Sequence, residues 1–564
     1  MTARARGRRA GDPPRNGCRP ATGGDPTVFR RGRRTVSVTE SVVWHRSDLR
    51  VPDNEPVAAA AAAAGPDDRV LPVFVVDPRY YGDRGLACDA RLRFVHECLA
   101  GLAEAYRRRG TDLALLYGDP RERLPSLLAG LDDPRVYVTR DVTARHGKAR
   151  DDALLDGDGL ACPVEAFDPG GIVRESDSRT GRRATPPDAA AEPPASRTDW
   201  AGQCRGYLTA DPHPAPESFP GDPVASDVTV AEVEARHDVE PGKDPDRRPR
   251  GGRDAALDRL EAFVRKLPDY PRNVSPPAAA EEHGSRLSVD LKFGTLSTRE
   301  VYRRVQRCPE GRGRSIFTSR LFWNHHYRQK LADWPGWMDR AVNPVFRGLY
   351  RSEHDPELAA AWREGRTGFP MVDAAMRALV ETGYINFRMR AMCASVYCYV
   401  LREPWRAGAD FMYYHLLDAE PGINHPQWQS QTGHVGAHPV RVYDPAKQVR
   451  EYDPEGTYVR RYVPELADLP DEHLPRPEKA PLTVLEAAGV ELGDDYPYPV
   501  VDYEARAERA RTAFARLDDR ATEALFDDPR TLRRASLSQR HGSQSVSEDE
   551  DGTGQGQSSL EDFG

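Results

Sequence analysis

Apolar residues first gather at Ser41–Trp44 and then form the unbroken run Val70–Val76, VLPVFVV. A run of that length without polar alternation predicts a strand buried on both faces. The Ala-rich stretch Glu55–Ala64 between them reads as a helix. A second helix is predicted around Arg91–Arg109, then strands at Leu113–Tyr117 and Val136–Thr139 with a helix between them. Strands alternating with helices predict an α/β domain with a doubly wound parallel sheet. From about 257 to 527 the period changes and a mostly α-helical domain is expected. Ser297 and Glu300 have the spacing of a capping box. Pro370 suits a first helical turn, and Gly383 is placed to end that helix. Between them Val372, Ala375, Met376, Leu379 and Val380 make an amphipathic stripe. Met389, Met392, Cys393, Val396, Tyr397 and Val400 make another, and both read as core.

Composition divides the chain further. Residues 1–35 are rich in Arg, Gly and Pro, and a disordered basic start is expected there, read as an over-extended reading frame rather than a transit peptide. The α/β domain is assigned to 36–174 and the helical domain to 256–528. Residues 175–255, dense in Pro, Asp and Arg, read as a linker in which Trp200 and Tyr207 anchor a short ordered patch. The tail 529–564, rich in Ser, Gln, Gly and acid, is expected to be disordered.

The chain has 564 residues, 39% of them apolar and 30% charged, with a formal net charge of −8. No stretch approaches the roughly 18 apolar residues of a membrane helix, which excludes a helical integral membrane protein. No apolar segment follows the basic start, so no secretory signal is read. The eight cysteines are irregularly spaced and none forms CxxC, which points away from zinc ribbons and iron–sulfur clusters and toward a reducing, cytoplasmic setting. No GxGxxG or Walker loop follows the first strand, so standard dinucleotide or nucleoside-triphosphate binding is not expected of the α/β domain.

Chemistry concentrates in the helical half. Gly284, Ser285, Arg286, Leu287 and Ser288 set hydroxyls and backbone N–H groups beside a helix start, which suits a phosphate cradle or, equally, a turn with a cap. Asp418, Glu420, Asn424 and Trp428 place two carboxylates, an amide and an indole within a few turns, and Arg390 is the natural partner of a buried Asp418. Residues 301–350 carry many Arg with Phe317, Phe322, Trp323 and Tyr327 among them. That mixture suits phosphate contacts plus base stacking, or a solvated helix face.

The order of these motifs resembles the photolyase/cryptochrome family. The match runs through VVWHRSDLRVPDN (42–54), VLPVFVVDPRYYG (70–82), GSRLSVDLKFGTLS (284–297), RLFWNHHYRQKL (320–331), TGFPMVDAAMRAL (367–379), INFRMRAM (385–392) and LLDAEPGINHPQWQ (416–429), and continues from Val440 to Leu466. The resemblance implies an N-terminal antenna-type domain and a helical domain holding FAD. It also implies an antenna chromophore, folate or deazaflavin, and light-driven electron transfer from reduced flavin to a pyrimidine dimer in DNA. In cryptochromes the light signal passes to a partner instead. Position by position it implies flavin contacts at Tyr270, Ser285, Arg286, Leu287, Ser288, Arg390, Asp418, Ala419, Glu420 and Asn424. It implies a photoreducing chain beginning Trp428, Trp405, and DNA contacts at Arg320, Trp323, Asn324 and Arg388. Trp323, Trp405, Trp428 and Asn424 are the residues expected to act in the chemistry.

Departures are concentrated where DNA is expected. The usual cradle Thr is Gly284, and the third Trp of the chain falls at Ser352 with Tyr350 nearby as a surface terminus. An expected Glu is Arg320, an expected Arg is Asn324, an expected Asn is Phe387 and a second pocket Trp is Ser430. His325 and His326 beside Trp323 are candidates for proton chemistry or for structure. Repair of dimer-containing DNA by a monomeric enzyme is the leading expectation, with a flavin photoreceptor as its rival. The tail residues Gln557, Leu560 and Phe563 resemble a sliding-clamp-binding peptide, weakened by Gly564 where a second aromatic is usual.

Overall fold

The computed structural model describes residues 38–82, 85–156, 159–172, 200–240, 247–436 and 440–535. The basic start and the clamp-like residues Gln557, Leu560 and Phe563 lie outside the described residues.

Five parallel strands build the first domain: β1 (Thr39–His45), β2 (Arg69–Val76), β3 (Ala114–Tyr117), β4 (Asp133–Thr139) and β5 (Val164–Phe167). They lie in the order β3-β2-β1-β4-β5, so winding reverses beside β1. The apolar run at 70–76 is β2, and Pro72, which lacks an N–H, sits just before pairing with β3 begins at Val73. Helices α1 (Glu55–Ala63) and α2 (Asp89–Arg107) join Val43 in one core, while α3 (Pro120–Leu128) and α4 (Arg145–Leu154) join Val42 and Trp44 in another. Successive β1 residues thus point to opposite layers, which is why the run needs no polar alternation.

The segment between the domains carries α5 (Trp200–Thr209) and α6 (Val230–Arg236). Its Phe219, Val228 and Val233 pack into the α1/α2 core, and Cys204 and Leu208 pack on Phe322.

The second domain is helical. Its early helices are α7 (Arg253–Lys266), α8 (Tyr270–Asn273), α9 (Pro277–His283), α10 (Ser288–Phe293), α11 (Thr298–Gln306) and α12 (Arg312–Asp333). Then come α13 (Pro356–Glu364), α14 (Pro370–Thr382), α15 (Phe387–Ser395), α16 (Trp405–His415) and α17 (Pro421–Gln431). Further helices run on to Ala535. Ser297 and Glu300 form the expected capping box at α11, and Ser297 also donates to Asp53 of the first domain. Both predicted stripes lie in one core cluster, with α15 continuing into a π-helical turn at Val396–Val400. Val380 is the exception: it is 50% exposed, because the buried face of α14 continues through Leu379 to the Gly383 cap.

The domains are fastened around α10. Val289, Phe293 and Leu417 are buried in the core of the first domain. Leu49 N–H donates to the Phe293 carbonyl at 3.0 Å, and Arg299 donates to Asp53 at 2.6 Å. Among the described residues the cysteines are free, no cluster could hold a metal ion, and no helix is long and apolar enough to cross a membrane.

Candidate flavin and DNA site

Four helical segments converge on one cavity, and each contributes residues at helical spacing. From α12 come Arg320, Trp323, Asn324, Tyr327 and Arg328. From the start of α17 onward come Glu420, Ile423, Asn424, Gln427, Trp428 and Gln431. Phe387, Arg390, Ala391 and Ala394 line it from α15, and Leu287, Ser288, Leu291 and Lys292 from α10. Steps of three and four residues put each set on one face of its helix. Tyr270, Gly284, Ser285 and Asp418 close the wall.

Two ion pairs fix the polar side. Arg390 Nη2 lies 3.0 Å from each Asp418 oxygen, and its Nε donates to the Ile385 carbonyl at 2.9 Å. Burial pushes the Asp418 carboxyl up, but Arg390, the Ser288 hydroxyl and Arg286 outweigh it and hold the group below its usual range. Glu420 caps α17 by accepting from Gly422 N–H and meets Lys292 Nζ at 3.2 Å. Burial again opposes its charge, and Lys292, Arg328 and that N–H overcome it. Asn424 donates to the Ala409 carbonyl at 2.8 Å, which fixes its amide and leaves its carbonyl oxygen as an acceptor.

The aromatic side is equally ordered. The Trp323 ring lies 5.4 Å from His326 and 5.7 Å from Tyr327. Arg320 stands beside the Tyr270 hydroxyl, whose pKa burial pushes up and Arg320 pulls back down. Ser430 stands where a second Trp was expected, and its hydroxyl donates to the Pro426 carbonyl at 2.9 Å. Trp428 is buried, and its ring is 6.0 Å from Trp362 and 5.9 Å from Tyr397.

Of the residues expected from the sequence, Tyr270, Ser285, Leu287, Ser288, Arg320, Trp323, Asn324, Arg390, Asp418, Glu420, Asn424 and Trp428 share this cavity. Four are not brought to its wall. Arg388 is two residues from Arg390, about 200° around the helix, and lies over the Tyr452 ring at 3.9 Å. Arg286 stacks on Tyr384 at 3.9 Å behind the cradle. Ala419 is buried, and the Trp405 ring lies 6.4 Å from His425 and 6.1 Å from His434. Tyr350 is not a surface residue: it is 4% exposed with φ +62°, beneath Arg402. His325 and His326 are buried and do not line the cavity, and burial with help from Arg328 pushes His325 down to about 4.

Sequence reasoning missed Lys292, Trp362, Tyr384 and Tyr397 as site residues. Tyr327 and Arg328, from the Arg-rich aromatic stretch, do line the cavity, as their spacing from Arg320 and Trp323 requires.

The cavity suits a flavin dinucleotide. Ser285 and Ser288 offer hydroxyls, Arg390 and Lys292 offer cations, and leucine and aromatic side chains form the remaining wall. The Trp428 Nε1 is buried with no hydrogen-bond partner, in a residue that lines this space.

Residues 41–188 match the family model described as DNA photolyase, and residues 317–516 match the FAD binding domain of DNA photolyase. The chain is 31% identical over 486 residues to the cryptochrome DASH of Gloeobacter violaceus, covering 83% of this chain and 94% of that one. It is 31% identical to the deoxyribodipyrimidine photo-lyase of Halobacterium salinarum, covering 84% and 98%. The class III photolyase structure from Agrobacterium tumefaciens aligns with a TM-score of 0.69 at 29% identity, over 86% of this chain and 99% of that one. A photolyase structure from Sulfolobus tokodaii with two FAD molecules aligns with a TM-score of 0.65 at 25% identity, over 85% and 100%. Fold and site together define a two-domain flavoprotein with an FAD-binding helical half. The chain belongs to the photolyase/cryptochrome family.

Proposed function

We propose that this protein is a light-driven DNA photolyase that acts on pyrimidine dimers. The observation that carries the reading is the α12 face: Trp323 with Arg320 and Arg328 shares one cavity with Asn424 and the Arg390–Asp418 pair. A flavin bound there supplies light absorption and a transferable electron. Trp323 offers a flat platform for an extruded base, and Arg320 and Arg328 offer charge toward phosphate. Asp418 and Glu420, both held as carboxylates, keep Arg390 and Lys292 fixed at the cavity wall. Antenna chemistry, with a folate or deazaflavin as the second chromophore, a cytoplasmic location and a monomeric state complete the proposal.

The rival reading is a photoreceptor that binds flavin without repair. It is favoured by Arg320, which stands beside Tyr270 where a carboxylate was expected, and by Ser430 in place of a Trp. Illumination of the reduced protein with dimer-containing single and double strands separates the two. Restored pyrimidines are expected; stable flavin with no restoration in either substrate overturns the repair reading.

A further inference from the structure

A second cavity lies on the other side of the cradle loop. It offers about 230 Å³, open on one side to solvent and many times the space one water needs, and Gly284 and Ser285 border both cavities. Five cations line it: Arg247, Arg248, Arg259, Lys266 and Arg286. Its lining holds one carboxylate, Glu282, and Arg461 already takes that group at 3.0 Å. Arg247 pairs with Glu381 at 2.6 Å, Arg259 with Asp290 at 2.5 Å, and Arg248 with Glu97. Lys266 and Arg286 have no carboxylate partner among the described residues: they donate to the Glu282 and Glu281 carbonyls, and Arg286 stacks on Tyr384.

The unsatisfied donors are the sharper signal. The Arg248 side chain is nine-tenths buried, and its Nε and Nη1 have no hydrogen-bond partner. Arg286 Nη2 is likewise buried without one. Leaving buried charged donors unpaired is costly, and guanidinium groups match phosphate oxygens in geometry and charge. Clustered cations, idle donors and room for a small anion therefore coincide in one place outside the flavin cavity.

We propose that this cavity binds a phosphate-class anion, as inorganic phosphate or as the phosphoryl end of a small nucleotide, and does so while the first cavity is loaded. Because Ser285 borders both spaces, an anion here braces the cradle from behind.

The test is calorimetric titration of the flavin-loaded protein, in phosphate-free buffer at fixed ionic strength, with inorganic phosphate and separately with adenosine monophosphate. Saturable one-site binding of phosphate is expected. It should weaken about tenfold or more in Lys266→Gln, whose exposed side chain has a single bond of 3.3 Å to the Glu282 carbonyl, and in Arg248→Gln. Equal affinities for the two probes identify the phosphoryl group as the recognised part, and tighter nucleotide binding identifies a nucleotide as the source. No saturable binding of either at millimolar concentration overturns the proposal. So does binding unchanged in both variants, or binding seen only after flavin removal, which would make this space part of the flavin site. Failure of the flavin assignment itself reads separately, as purified protein without flavin absorbance.

Discussion

Arg390 holds Asp418 by both oxygens, with its Nη2 3.0 Å from Oδ1 and 3.0 Å from Oδ2. The pair is partly buried, so each charge depends on the other. Asp418→Ala is expected to leave Arg390 uncompensated and lower FAD affinity at least about tenfold. Equilibrium dialysis of reconstituted protein measures it; unchanged affinity would detach this pair from the flavin.

Gly408 of α16 approaches Trp428 so closely that an added Cβ would come within 2.4 Å of its Cη2 and 2.9 Å of Tyr397 Cδ1. Gly408→Ala must therefore displace Trp428. Light-driven flavin reduction, followed by absorbance, should slow in this variant and nearly vanish in Trp428→Phe. Trp362→Phe should also slow it, since Trp362 touches Trp428 by ring contact whereas the ring neighbours of Trp405 are His425 and His434. Wild-type kinetics in Trp428→Phe would end the assigned route.

Trp323→Ala should weaken binding of dimer-containing DNA by about 1–3 kcal/mol, the usual worth of base–aromatic stacking. Arg388 lies outside the cavity, over Tyr452, so Arg388→Ala should weaken damaged and undamaged DNA alike and flatten the salt dependence. Fluorescence anisotropy at two salt concentrations reads both. A wild type that does not distinguish damaged from undamaged DNA would favour the photoreceptor.

Local signals carried far in this chain. The β2 run, the Ser297–Glu300 box, the Gly383 stop and the two α14/α15 stripes are short-range patterns, and each appears where the residues put it. The site was legible only in part, because its shape depends on which helix faces meet. Asp418, Arg390, Asn424 and Trp323 could be placed by motif, whereas Arg388, expected to contact DNA, lies a two-residue step from Arg390 and so on another face of the helix. Lys292 and Trp362 gave no local sign: Lys292 becomes a site residue only by meeting Glu420, 128 positions away. Val380 joined a stripe by type and left it by geometry.

Asp290 of α10 makes stability depend on pH in a direction opposite to most of the buried acids here. It is fully buried, bonded to Thr295 Oγ1 at 3.0 Å and to Arg259 at 2.5 Å. Burial raises its carboxyl from the usual 3.8 to about 6, against the pull of Arg259 and Thr295. The folded state thus holds this proton more tightly than the unfolded chain. The contribution of Asp290 to stability is complete below pH 3.8 and is lost as pH rises through about 6. Linkage puts the loss at about 3 kcal/mol at most. Asp418, Glu420 and Asp151, all held below their usual values, favour the folded state in the reverse sense and mask it in the wild type alone. The difference between wild type and Asp290→Asn isolates it. The substitution removes the titration and adds a constant offset from Arg259, so only the pH slope is diagnostic. Urea unfolding between pH 4 and 7 should show wild type losing stability relative to Asp290→Asn as pH rises. Parallel curves would mean that Arg259 keeps Asp290 ionised throughout, and that the junction beneath the cradle is held by a permanent ion pair.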